Sequence, residues 1–198
     1  MTGINSEINS PERLTEFLKK ETKGYRVTAL GSSAGGYAAV LYGSLIAAER
    51  IYTFNGQFEL KSLLTKSYEA VNPIIFRERD NPEINRYYEI GKYISYVAAV
   101  YSFYSRYKND AFQCAKAGDA VKNVIAFNTR RHGLPFFKNN AGKILTMNDE
   151  ELKRPTRYHH NPLRFSINLI GWRKTLQGVL AQLCNRYQNS IFFREGGK

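Results

Sequence analysis

The stretch Val27–Val40, VTALGSSAGGYAAV, limits what this chain can fold into more than any other. Val27 to Leu30 suit a strand, Gly31 to Gly36 are all Gly, Ser or Ala, and a helix of small apolar residues follows. A strand that gives way at once to a helix is half of a β-α-β unit, and such units build parallel sheets. The tightness of the junction explains its composition. A sharp strand-to-helix turn holds its central residue in a strained conformation, and bulky neighbours would clash with it.

Gly31-Ser32-Ser33-Ala34-Gly35 fits the pattern G-x-S-x-G in the strand–turn–helix context where that pattern carries meaning. Gly31 and Gly35 then let strand and helix close around Ser33, whose hydroxyl is aimed away from the sheet. The Ala34 N–H, at the start of the helix, faces any oxyanion that forms there. A phosphate loop would end in Gly-Lys-Ser/Thr, and a dinucleotide turn would read G-x-G-x-x-G. Neither is present. A plain tight βα connection is the remaining alternative.

The rest of the chain reads as alternating strands and helices. Residues 10–22 form a helix with Ser10 as N-cap, Pro11 at its first position and Gly24 as its stop. Strands are expected at 25–30, 51–55, 96–104 and 124–127, and helices at 37–48 and 110–117. Residues 56–95, broken at Asn72-Pro73 and Asn81-Pro82 and rich in tyrosine, read as an insertion or lid over the strand ends. The expected class is α/β, a mostly parallel sheet with flanking helices, in a domain spanning 1–148. Residues 149–198 read as a polar linker to about 162, then a basic amphipathic helix over 163–187.

A serine nucleophile needs a base, and the base needs an acid to orient it. Of the three histidines, His159 and His160 lie in the polar linker and read as surface residues. His132 follows the fourth expected strand at the C-terminal edge of the sheet; its plain reading is a turn histidine beside Gly133. Asp110 follows the third strand at the same edge, and could serve equally as the N-cap of the next helix. Asp119 precedes a strand, at the opposite edge, and Asp80 lies in the lid; both rank below Asp110. Tyr37 and Gln57 are candidate substrate contacts.

The order Ser33, Asp110, His132, each after a separate strand, resembles the α/β-hydrolase superfamily. GSSAGGYAAVLYGSL in particular is similar to the nucleophile elbow of a bacterial branch associated with surface-polysaccharide gene clusters. The resemblance spans about residues 10–145 and implies a hydrolase fold that lacks its N-terminal strands, with one edge of the nucleophile strand open. It implies a serine esterase working through an acyl-enzyme, on an acylated glycan or other polar ester, without metal or organic cofactor. It carries over one oxyanion donor, the Ala34 N–H, and suggests a partner chain or a second copy on the open edge. The alternative is an inactive hydrolase-like module that binds an anionic polymer or a partner protein.

Charge bears on partners. The chain of 198 residues has a net charge of +12, with 14 Lys/Arg against 4 Asp/Glu after residue 119. A basic region of this kind faces solvent or an anionic partner. Nucleic acid ranks last because no recognition motif accompanies the charge. Attachment of residues 163–187 to a membrane surface is the weaker reading of that helix. No apolar run reaches membrane-spanning length, and the first residues lack a signal-peptide core, so the expected location is cytoplasmic. Cys114 and Cys184 match no metal or disulfide spacing.

Overall fold

The computed structural model describes residues 5–94 and 98–195. Its centre is a sheet of five parallel strands in sequence order: β1 (Thr28–Ser32), β2 (Arg50–Phe54), β3 (Ala99–Ser105), β4 (Asn123–Phe127) and β5 (His159–His160). The protein is therefore an α/β protein. The start of the expected third strand, Tyr96 and Val97, lies outside the described residues.

Helix α1 (Pro11–Glu21) begins as its sequence requires, with the Ser10 hydroxyl accepting a hydrogen bond from the Arg13 N–H at 3.2 Å. Helix α2 (Ala34–Leu45) joins β1 to β2. Three short helices, α3 (Leu63–Lys66), α4 (Pro73–Arg77) and α5 (Pro82–Asn85), occupy the long connection to β3. Helix α6 (Lys108–Lys116) joins β3 to β4, and α7 (Ala141–Thr146) and α8 (Asp149–Lys153) lie between β4 and β5. The last described elements are α9 (Pro162–Ile170) and α10 (Trp172–Glu195).

Strands buried on both faces read as nearly continuous apolar runs, and Ile51–Phe54 and Val100–Phe103 are buried at every position. Alternation sends successive side chains to opposite layers. Ile51 and Val100 meet Val40 and Leu41 of α2. Tyr52, Phe54, Tyr101, Phe103 and Phe127 face the other way and meet Phe136, Ile144, Leu152 and Phe165. The rings of Phe103 and Phe136 lie 5.7 Å apart, edge to face. Each buried ring contributes about 1.5–3 kcal/mol through the water it leaves. The β4–β5 connection thus crosses the face opposite α2 while the strands advance in the same direction, so its hand is opposite to that of the β1–β2 crossover.

Two expectations are corrected. The polar run 149–162 is no linker: it holds α8, opened by a reciprocal cap between Asn148 and Glu151, and β5, which joins the sheet beside β4. The helix expected over 163–187 is two helices, interrupted at Gly171, whose φ of 82° only glycine adopts without strain. Its apolar positions divide at that break: Leu169 of α9 packs against the core beside Phe165, whereas most of those in α10 face solvent. Trp172, Leu176, Leu180 and Leu183 are exposed, while Thr175 is the buried side of α10. Among the described residues, no helix is long and apolar enough to cross a membrane.

Candidate active site

Ser33 ends the turn between β1 and α2 with φ 54° and ψ −121°, a conformation that costs a non-glycine residue about 1–3 kcal/mol. The surroundings hold it there. Its N–H donates to the Phe54 carbonyl at 3.0 Å, and its carbonyl accepts from the N–H groups of Tyr37 and Gln57 at 3.1 and 3.3 Å. A Cβ on Gly31 would lie 2.1 Å from the Gly35 carbonyl oxygen, so the expected role of Gly31 is imposed by contact. Gly35 itself has open space around it. The second close approach is one residue later, at Gly36, where a Cβ would lie 2.6 Å from Thr53 Oγ1 and 2.8 Å from Gly56 Cα.

The structure brings Ser33, His132 and Asp110 together. His132 Nε2 lies 2.9 Å from Ser33 Oγ, and Nδ1 lies 2.7 Å from Asp110 Oδ1. Asp110 can only accept from the ring, so the proton sits on Nδ1, leaving Nε2 to accept from the Ser33 hydroxyl. Asp110 is 3% exposed, in the first turn of α6. It is not the N-cap of that helix; Tyr107 holds the cap position, and the Asp110 side chain turns inward instead. The Ser105 hydroxyl donates to the second oxygen of Asp110. The side chain of His132 is 52% exposed, so a ligand can reach it. The Ala34 N–H opens α2 next to Ser33, one of the unpaired donors at a helix start.

Asn55 was not singled out in the sequence, yet it ties these parts together. It is 2% exposed and sits at φ 47°, a left-handed conformation that asparagine tolerates better than most residues. Its Nδ2 donates to the carbonyls of Arg131 and Gly133, at 3.2 and 2.7 Å, which flank His132. Its Oδ1 accepts from the Ser105 N–H at 2.6 Å. One amide therefore joins the His132 loop to the strand end that supports Asp110. The Asn55-Gly56 pair signals a turn after β2, but nothing local in the sequence points to His132.

The other candidates lie elsewhere. Gln57 lines a 590 Å³ cavity beside His132, together with Lys66, Tyr107, Asn109 and Arg130. Tyr37 does not line it. Its hydroxyl donates to the Tyr87 carbonyl, and it borders a separate apolar cavity with Leu41, Ile74 and Tyr88. Burial there pushes the Tyr37 hydroxyl pKa well up. Asp80 pairs with Arg79 on the surface, and Asp119 lies in the turn Gly118–Ala120 before β4. His159 and His160 form β5. His160 is held by the Pro155 carbonyl at 2.8 Å and packs on Phe127 and Phe165.

Among the described residues, no group of three His, Cys, Asp or Glu side chains could hold a metal ion. The arrangement can move a proton from a serine hydroxyl to an oriented imidazole, next to a helix N-terminus. Set against protein-family models, curated proteins and solved structures, the chain matches none.

Proposed function

We propose that this protein is a serine hydrolase that cleaves esters through an acyl-enzyme, on an α/β-hydrolase-like scaffold. The observation that carries the reading is the unbroken relay Asp110–His132–Ser33, with Ser33 held in a strained turn at the mouth of a helix. The Ser33 oxygen attacks the ester carbonyl carbon as His132 Nε2 takes its proton. The resulting oxyanion accepts a hydrogen bond from the Ala34 N–H. The carbon–oxygen bond to the alcohol then breaks, and the leaving oxygen takes the proton from His132. Water, deprotonated by the same nitrogen, releases the acid and restores Ser33. The relay needs neither metal nor organic cofactor. The amides and hydroxyl around the cavity, Gln57, Asn109 and Tyr107, favour a polar ester such as an acylated glycan over a long acyl chain.

Labelling with a fluorophosphonate probe tests the reading without requiring fast turnover. The wild type becomes labelled, and Ser33→Ala abolishes labelling. His132→Ala slows labelling by about a hundredfold or more, the scale of losing a general base. Ser32→Ala, at the end of β1, labels nearly as the wild type does. A folded wild type that stays unlabelled sinks the hydrolase reading. That outcome favours a module that binds a partner, which the open outer edge of β1 and its exposed Leu30 support.

A further inference from the structure

The cavity beside His132 carries a charge imbalance that the hydrolytic scheme leaves unused. Lys66 and Arg130 line it as cations, and its one carboxylate, Asp110, is already committed to His132 and Ser105. Among the described residues neither Lys66 nor Arg130 takes part in an ion pair. Lys66 arrives from α3, and its ammonium lies 3.1 Å from the centre of the Phe112 ring on α6, a contact that restrains where the charge sits. Arg130 belongs to the loop that ends in His132, two residues earlier. Apart from His132, the other side chains on the lining carry no charge.

Cations gathered around a concave surface with apolar walls concentrate an anion there, and give a neutral ligand nothing in return. One guanidinium fork and one ammonium suit the planar, singly charged carboxylate; the fork can hold both of its oxygens. We infer that this cavity receives a carboxylate carried by the ester, so that the substrates are acidic esters. The charge would sit at the far end of the acyl chain or on an acylated uronic acid. The inference rests on the hydrolase reading for the word substrate, but not for the binding site itself.

Binding to Ser33→Ala, which keeps the cavity and lacks the nucleophile, separates the two. Calorimetry compares phenyl hydrogen succinate with phenyl methyl succinate, where the acyl side differs by one charge. A second pair, O-acetyl galacturonic acid and O-acetyl galactose, places the difference on the alcohol side. The acidic member of at least one pair binds about tenfold tighter, the scale of one charge-assisted contact. That preference falls to about twofold or less in the Lys66→Met/Arg130→Met double variant, and it shrinks as salt is raised. Equal binding within both pairs overturns the inference, and persistent fluorophosphonate labelling of the wild type then leaves the hydrolase standing. A preference for the acidic member, together with a folded wild type that the probe does not label, supports the carboxylate site and overturns the hydrolase instead.

Discussion

Asn55 shows how one buried amide, at the inner wall of the cavity, can set the geometry of the groups around it. Its hydrogen bonds fix the backbone on both sides of His132 and the strand end below Asp110, while its left-handed φ suits few other residues. Asn55→Gly keeps that backbone conformation available and removes all three contacts. The Arg131 and Gly133 carbonyls and the Ser105 N–H lose their partner. Unfolding in denaturant is expected to show a loss of about 2–3 kcal/mol, as buried groups are left unpaired. Because the imidazole then wanders, kcat should fall by about ten- to a hundredfold with KM nearly unchanged, the pattern of lost orientation. A fall in stability with kcat intact would make Asn55 a purely structural residue.

At the scale of elements, the β1–α2 junction separates two glycines that look equivalent in G-x-S-x-G. Gly31→Ala would drive a methyl group to 2.1 Å from the Gly35 carbonyl, against backbone that cannot step aside. The expected loss exceeds about 3 kcal/mol, with a misplaced Ser33 and no probe labelling in whatever protein folds. Gly35→Ala meets nothing within 4 Å and lies inside α2. Alanine is the better helix former there, so this variant should gain about 0.5–1 kcal/mol. Thermal unfolding of the two proteins side by side checks the contrast; equal losses would contradict the geometry. The break at Gly171 has the same character, since a left-handed residue ends α9 and redirects the chain into α10.

Across the whole molecule, the sequential parallel order puts the ends of β1, β3 and β4 on one rim, which is where Ser33, Asp110 and His132 follow. The same layering sets Cys114 of α6, half-buried, against Ser102 of β3, and burial pushes its thiol up to about 11. Its contribution to stability is therefore fully present below about pH 9, the ordinary thiol value, and is lost as pH rises through about 11, because folding must then reprotonate the thiol. The loss is about 2 kcal/mol by pH 11. Burial also raises the hydroxyls of Tyr37 and Tyr101, which steepens the decline above about pH 10. Urea unfolding between pH 8 and 11 should show a shallower slope in Cys114→Ala. At pH 8 a thiol reagent should modify the exposed Cys184 faster than the half-buried Cys114 in the native protein, a difference that unfolding removes.

The class, the strands and the serine turn were legible because their causes are local. Apolar runs such as Ile51–Phe54 and the crowding of small residues from Gly31 to Gly36 act over one or two turns of chain. Ser33 followed from its G-x-S-x-G turn, and Asp110 and His132 from residue type together with strand order, since parallel strands send their C-terminal ends to a common edge. Where the sequence misled, the deciding contact was distant. His159 and His160 look like linker residues until β4 supplies a hydrogen-bonding edge for them. Tyr37 looks free to meet a ligand until Tyr87, fifty residues away, accepts its hydroxyl. Gly36 outranks Gly35 only because Thr53 and Gly56 pass beside it. Asn55 carries no local mark of its role, because its partners lie in a distant loop and at the end of β3. Short-range sterics and polarity are written along the chain, whereas the pairing of buried polar groups is decided only when packing selects which distant atoms exclude water together.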